Sequence, residues 1–415
     1  MAGFKTARLV DIAEVKGGKR LPANANLVST PTSHPYIRGR DIRDGKITFD
    51  DPMYVLDDDF EKIRRYTVDS GDVCITIVGN IGDVGITPPN LHRASLTENA
   101  VKLVNLREDF DARFLMYALL TPEAQSQMKL SAAGAAQPKL GIYKVNEINV
   151  PVPPLPVQRR IAGILSAYDE LMENNQRRIR LLEAMARDLY REWFVHFRFP
   201  DHEKVKMVRP HSHPSEGSAK TDGDIPEGWE VKPFSAIASY VNGFPFKPAQ
   251  LGTEGKPIIK IKELKAGIVA DTPRNLGDEI PEKYNIHDGD VLFSWSADLD
   301  TYLWMGGEGL LNQHLFNVVP FDGISSAFCF HALKGSMPRF RALSLGATMH
   351  HIKRSALDQV FTLLPPAALR KRFEVLVEPM HQQLITLTKH VENLRRTRDL
   401  LLPRLLSGQV ELKVN

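Results

Sequence analysis

The chain has 415 residues, 43% hydrophobic and 25% charged, the composition of an ordinary globular protein with room for two or three domains. No run of about 20 apolar residues is present to span a bilayer, and the opening MAGFKTARLVDIAEV has no apolar signal region, so a cytoplasmic location is expected. The 53 basic and 50 acidic residues leave a net charge of +3, which neither demands nor excludes nucleic acid, although residues 1–50 hold nine Lys or Arg against five acids. Cys74 and Cys329 are the only cysteines, which excludes a disulfide framework and a multi-cysteine zinc site and predicts two buried, unreactive thiols.

In chain order, Lys16, Lys19 and Arg20 follow a first short strand, and a basic stretch with Arg38, Arg40 and Arg43 comes next. Val73–Val78 and Val101–Val104 read as strands, separated by Gly79-Asn-Ile-Gly82-Asp-Val-Gly85. That glycine spacing fits neither a dinucleotide fingerprint nor a P-loop, and predicts a turn after a strand. Ala112–Met128 has a helical pattern. Pro151, Pro153, Pro154 and Pro156 then lead into a helical stretch of about 40 residues, or about 60 Å. The polar, Gly/Ser-rich segment 211–224 reads as a flexible linker. Beyond it, Ile258–Ile261 suggests a strand, Ala327–Leu343 a helix, and Pro365-Pro366 the entry to a second long helix that Pro379 should kink.

The second half of this order repeats the first. Gly134-Ala-Ala-Gln137-Pro-Lys139-Leu140 resembles Gly346-Ala-Thr-Met-His350-His-Ile352, 212 positions later, and at the same offset Pro153-Pro154 meets Pro365-Pro366. Upstream the offset drifts: Leu96–Asn99 matches Leu311–His314 at 215, Gly71-Asp-Val73 matches Gly289-Asp-Val291 at 218, and His34–Arg40 matches Lys256–Lys262 at 222. Both long helices carry an apolar stripe at alternating steps of three and four. In the first it runs Leu165, Tyr168, Met172, Asn175, Ile179, Leu182, Ala186, Leu189, Trp193, and in the second Val377, Met380, Leu384, Leu387, Val391, Leu394, Arg398, Leu401, Leu405, each 212 later. Neither stripe can be buried by its own helix. The pattern predicts a mixed α/β (α+β) chain of two similar globules and an antiparallel coiled coil with internal pseudo-twofold symmetry. Asn175, whose equivalent is Leu387, either fixes register or drifts to solvent.

Catalytic groups are sparse. An amino-methyltransferase would carry an acidic residue or Asn before Pro-Pro and an aromatic after it, and Thr87-Pro-Pro-Asn90 has neither. Pro200-Asp201 with Glu263-Leu-Lys265 imitates a nuclease metal site only at long range. His202, His211 and His213 read as a solvated trio, and His350-His351 as a variable polar loop, so no metal is expected. Two similar globules without catalytic groups suggest a reader of two separated features on one extended ligand, for which duplex DNA fits well: half-sites lie about one helical turn, roughly 34 Å, apart.

Gly134–Leu140 followed by Ile148-Asn-Val-Pro-Val-Pro-Pro-Leu-Pro-Val-Gln-Arg-Arg-Ile-Ala-Gly-Ile-Leu165 resembles the end of a target-recognition domain and the start of a conserved helix in type I restriction-modification specificity subunits. Ile225-Pro-Glu-Gly-Trp-Glu230 is similar to the entry of their second recognition domain, and Arg191-Glu-Trp-Phe194 and Leu401–Gly408 to the closing segments of their two helices. The resemblance implies target-recognition domains at 1–152 and 225–364, conserved helices at 153–199 and, with the C-terminal tail, 365–415, and a linker at 200–224. It also implies a non-catalytic subunit that recognises a bipartite, asymmetric double-stranded DNA target. This subunit would join two adenine methyltransferase subunits, and often two ATP-dependent restriction (motor-nuclease) subunits. AdoMet, ATP and magnesium would belong to those partners, and this chain would hold no cofactor. A stand-alone DNA-modifying enzyme and a structural coiled-coil adaptor are the rival readings.

Base edges carry sequence information while phosphate contacts position the protein. Lys16, Lys19, Arg20, Arg38, Arg40 and Arg43 are phosphate candidates in the first copy, and Lys247, Lys260, Lys262 and Lys265 in the second. Asn80, Asn99, Gln137, Ser294, Trp295, Ser296, Asn312, Gln313, His314 and His350 are base-reading candidates, because amides pair with adenine and Arg or Lys with guanine; Asn242 lies with Lys247 in the region matching Lys16, Lys19 and Arg20, and Lys139 and Lys353 are further DNA-binding candidates. Trp295 fits a core position equally well.

Overall fold

The computed structural model describes residues 4–132, 138–209, 224–344, 351–410 and 412. It divides into two compact units, one of Met1–Leu171 with Leu394–Asn415 and the other of Met172–Asn393. Gln137, His350, His211 and His213, and residues 210–223 of the expected linker, lie outside the described residues.

In the first unit the globule is entered and left through one ribbon, Thr6–Arg8 paired antiparallel with Asn149–Pro151. Its centre is a six-stranded sheet in which Val73–Thr76 lies between Ala100–Val104 and Val84–Ile86, with Glu14–Gly17 on the far side of Ala100–Val104. All four residues of Val73–Thr76 are buried. The period-two alternation of a strand explains the continuous apolar run: Val73 and Ile75 face one core with Phe114 and Leu115, while Cys74 faces a second with Ile37 and Leu96. The turn expected after this strand is present, with Gly79 and Gly82 at positive φ. The helix expected over Ala112–Met128 is two helices, Ala112–Leu119 and Pro122–Ala132. Pro122 has no N–H with which to continue the first helix but suits the first turn of a new one.

The second unit repeats the plan. Glu230–Pro233 pairs with Phe361–Leu364 as the entry and exit ribbon. Val291–Ser294 is flanked by Leu315–Pro320 and Asp300–Leu303, with Ala238–Asn242 beyond. Val291 and Phe293 face one core and Leu292 the other. The helix Ser326–Leu343 starts at Ser325, whose hydroxyl accepts from the Phe328 N–H, as Asp111 accepts from Phe114 in the first unit.

Hydrogen bonds fix the drifting offsets. Thr97 N–H donates to the Ile37 carbonyl and Asn312 N–H to that of Ile259. Arg38 N–H donates to buried Asp41, and Lys260 N–H to buried Glu263. Gly71 and Gly289 take φ of 92° and 91° at the same turn.

The two long helices, Leu155–Phe194 and Ala367–Leu406, each have 40 residues and start 212 apart. In the first unit the beginning of one meets the end of the other, through Ile161 and Leu165 with Leu405 and Leu406. In the second unit the ends are reversed, with Trp193 and Phe194 on Phe373. The helices are therefore antiparallel. No residue of either stripe is exposed, whereas Leu171, Leu181, Met185, Val375, Leu376 and Leu400, off the stripes, are. Asn175 is buried. The second helix runs on through Pro379, so the proline removes one backbone hydrogen bond without ending the element. Among the described residues no helix is long and apolar enough to cross a membrane.

Candidate nucleic-acid interface

Strand directions decide which loops meet. In the first unit Glu14–Gly17 and Val73–Thr76 run toward the edge at which Ala100–Val104 begins, because both pair with it antiparallel. The loops after Gly17, after Thr76 and before Ala100 therefore share one sheet end. Gly18 N–H donates to Ala100, Lys19 N–H to Leu96, Ile77 N–H to Asn99 and Leu140 N–H to Ile77, which ties four loops together. Gly18 must be glycine here, since a Cβ would collide with the Thr97 carbonyl oxygen.

This edge carries Lys19, Arg20, Asn80, Asn99 and Lys139. Arg20 is paired with Glu98 at 2.8 Å, and Lys19 lies 5.6 Å from the Tyr66 ring centre. Lys139 is exposed and, among the described residues, has no carboxylate partner. Beneath the Asn80 turn, burial pushes the Asp83 carboxyl above its ordinary range, against the Asn80 hydrogen bond. Lys16 lies inside its strand and pairs with Glu14 at 3.0 Å. The Arg38–Asp41 loop borders the same edge through Thr97, but Arg38 is bound to Asp41 at 2.8 Å and Asp51 at 3.3 Å, and Arg40 is ion-paired with Asp51. Arg43 sits on a peripheral strand.

The equivalent edge of the second unit has different chemistry. Gly243 takes the place of Gly18, against the Asn312 carbonyl, and Ile352 N–H donates to Trp295 as Leu140 does to Ile77. Trp295 is partly buried against the core, and its indole N–H donates to Asn242 Oδ1 at 3.2 Å. Ser296 Oγ lies 3.3 Å from His314 Nδ1, and Gln313 lies beside His314. Ser294 and Asn312 are buried beneath this surface. Trp295, Phe316, Ile352 and Asn242 line a shallow pocket of about 370 Å³ rimmed by Lys353 and Arg354. Lys265 is ion-paired with Asp298 on the neighbouring loop, and Lys262 with Asp271 at 2.5 Å. Lys260 has its backbone in the Glu263 cap, while Lys247 is exposed on a separate short turn. Arg354, which sequence reasoning missed, reaches over the Phe316 ring at 6.0 Å.

The nuclease-like fragments are not assembled. Asp201 is engaged by Lys204 and Arg372, and Glu263 accepts from Lys260 N–H and the Thr272 hydroxyl. Among the described residues no group of three or more His, Cys, Asp or Glu could hold a metal ion. Both thiols are buried, which pushes each up to about 12.

One α/β fold, present twice and displaying differently composed loop edges, defines an internally duplicated protein. Residues 1–184 match the family model described as Type I restriction modification DNA specificity domain. The chain is similar to the type I restriction enzyme MjaIX specificity subunit of Methanocaldococcus jannaschii, 24% identical over 83% of this chain and 78% of the relative. A putative MjaX specificity subunit of the same organism is 23% identical over 99% of this chain and 94% of that one. The crystal structure of a type I restriction-modification S subunit from M. genitalium shares the fold, with a TM-score of 0.64 at 15% identity over 99% of this chain and 97% of that one. Residues 1–184 thus carry the type I restriction-modification DNA specificity domain, and the chain as a whole is similar to specificity subunits.

Proposed function

We propose that this chain is the non-catalytic, sequence-reading subunit of a DNA methylation and restriction assembly, and that it recognises a bipartite, asymmetric target. The observation that carries this reading is the pair of equivalent sheet edges: three of the backbone bonds that tie the loops together recur in both, while the side chains presented do not. Ile77 becomes Trp295, Asn99 becomes His314 and Glu98 becomes Gln313 at the offsets of 218 and 215. Different donors and acceptors on the same frame read different bases. Residues 1–152 and 225–364 form the two target-recognition domains, and the long helices between and after them set the spacing of the half-sites. Lys19, Lys139, Lys247, Lys353 and Arg354 neutralise phosphates. Arg20, Arg38, Arg40, Lys262 and Lys265 must first release a carboxylate, so their contribution is smaller.

Two adenine methyltransferase subunits and two restriction subunits are the proposed partners, and they bring AdoMet, ATP and magnesium. The test is to co-express the chain with its methyltransferase, verify the stoichiometry, and map the methylated sequence. Exchanging residues 1–152 should change one half of the target only, and shortening both helices by matched turns should change its spacing. A continuous target, both halves changing together, or methyl transfer by the isolated chain would overturn this reading.

A further inference from the structure

In each unit a residue from the globule's helix meets the long helices, and the two units solve this contact differently. In the first, the Tyr117 hydroxyl donates to Asp169 Oδ2 at 2.5 Å, and Arg398 Nη1 reaches Asp169 Oδ1 at 2.6 Å. The shared cap geometry of the globule helices, offset by 214, places His331 where Tyr117 stands. The helix offset of 212 places His381 at the position of Asp169 and Ala186 at that of Arg398. The correspondence is also physical, because His381 Nε2 lies 3.3 Å from His331 Nε2.

The Tyr–Asp–Arg cluster is thus replaced by a His–His pair with a methyl group where the arginine would be. All three replacements line a single pocket of about 470 Å³ within the second unit. Trp304, Phe330 and Leu384 supply apolar walls, and Glu183, one turn from Arg187 on the same helix, stands at the mouth. Among the described residues Glu183 has no hydrogen-bond or ion-pair partner.

We propose that this pocket binds a small organic cation, with an amidinium or guanidinium head on Glu183 and an apolar body between the aromatic walls. In the first unit the corresponding place is filled by the chain's own guanidinium, that of Arg398. Ion pairing reduces the repulsion from the lining cations: Lys334 is held by Asp300 at 2.7 Å and by the Thr301 carbonyl, and Arg187 by Asp188 at 3.1 Å. The two imidazoles are uncharged, since burial depresses both pKa values. Aromatic faces attract a cation, and a partly desolvated carboxylate without a partner gains from one. The volume falls within the range of small-molecule sites.

The experiment is isothermal titration of the full chain with benzamidine near neutral pH. Saturable binding at one site, with a dissociation constant below about 1 mM, is expected. Glu183→Gln should weaken it roughly tenfold or more through loss of a charge-assisted hydrogen bond, and Ala186→Arg should abolish it by refilling the space. Glu183→Gln carries the test alone should Ala186→Arg misfold, since Glu183 makes no internal contact to lose. Absence of saturable binding, an affinity unchanged in Glu183→Gln, or preference for benzoate over benzamidine would overturn the proposal.

Discussion

Asp169→Asn removes one negative charge from the joint that holds the first globule to both long helices, and its cost can be worked from the contacts. Asp169 is 13% exposed and Arg398 21%. The carboxylate accepts two short charge-assisted bonds, each worth about 1.5–3 kcal/mol. An amide keeps one acceptor oxygen but turns an NH2 toward either the Tyr117 hydroxyl or the guanidinium. Breaking a fully buried ion pair costs about 3–5 kcal/mol. Arg398 also holds Asp399 at 2.7 Å, so it is not stranded and the upper figures do not apply. The expected destabilisation is about 2–3 kcal/mol. Urea unfolding followed by hydrogen exchange resolves it, because a chain of two units need not unfold in one step. Protection should fall in residues 112–119 and 394–406 and stay constant in 326–343. A loss below about 0.5 kcal/mol, the level of an ordinary surface substitution, or an equal loss of protection in 326–343, would refute the reasoning. Arg398→Ala combined with Asp169→Asn should cost less than the sum of the two single changes.

The second unit should weaken as the pH falls, because burial, with His381 and Arg187 adding to it, lowers His331 to about 3. Its folded pKa lies below the unfolded value near 6.5, so the stability is fully present above about pH 7 and is lost between about 6.5 and 3. The His331 contribution at pH 5 is roughly 2 kcal/mol, read as the difference in unfolding midpoint between the parent chain and His331→Gln at pH 7 and pH 5. Gly18→Ala and Gly243→Ala each drive a Cβ into a carbonyl oxygen, so each should cost about 2 kcal/mol or more in thermal unfolding of its own unit. Alanine at Lys139 or Lys353 should leave unfolding unchanged while lowering the salt slope of specific DNA binding by about 0.9 per lost phosphate contact, measured by fluorescence anisotropy. Neither Cys74 nor Cys329 should react with a thiol reagent until the chain unfolds, as a mass shift under native and denaturing conditions would report.

The repeat was legible because its marks are local. Glycines at one turn, a Pro-Pro before a helix and a strict three-four apolar stripe survive in a linear string, and the drifting offsets place Ile37 with Ile259 and Thr97 with Asn312, where the backbone bonds place them. Contacts that join distant segments left no such mark. Asp169 and Arg398 stand 229 residues apart, and Arg398 reads only as a polar lapse in an apolar stripe. The basic stretch near Arg38 is visible as charge, but that Asp41 and Asp51 already hold it depends on a turn that composition does not encode. Pro122 shows the opposite failure, a local signal outweighed by the helical pattern on both sides of it. Trp295, open between core and surface in the sequence, is both: its ring packs on Phe316 while its N–H reaches Asn242 at the rim.

The ribbon that opens and closes each globule separates the globule's interior from the helices that follow it. Thr6–Arg8 lies beside Asn149–Pro151, and Glu230–Pro233 beside Phe361–Leu364, so the chain leaves each globule next to where it entered. A loop closed in this way tolerates insertions cheaply, each doubling of length costing only about 0.6 kcal/mol. The offset between copies shrinks from 222 to 212 across the globules and then stays at 212 along both helices. Length variation is absorbed before the helices begin. Under the function proposed above, replacing the interior of one globule would give a new specificity while the helices, with the partner contacts and half-site spacing assigned to them, go on unaltered.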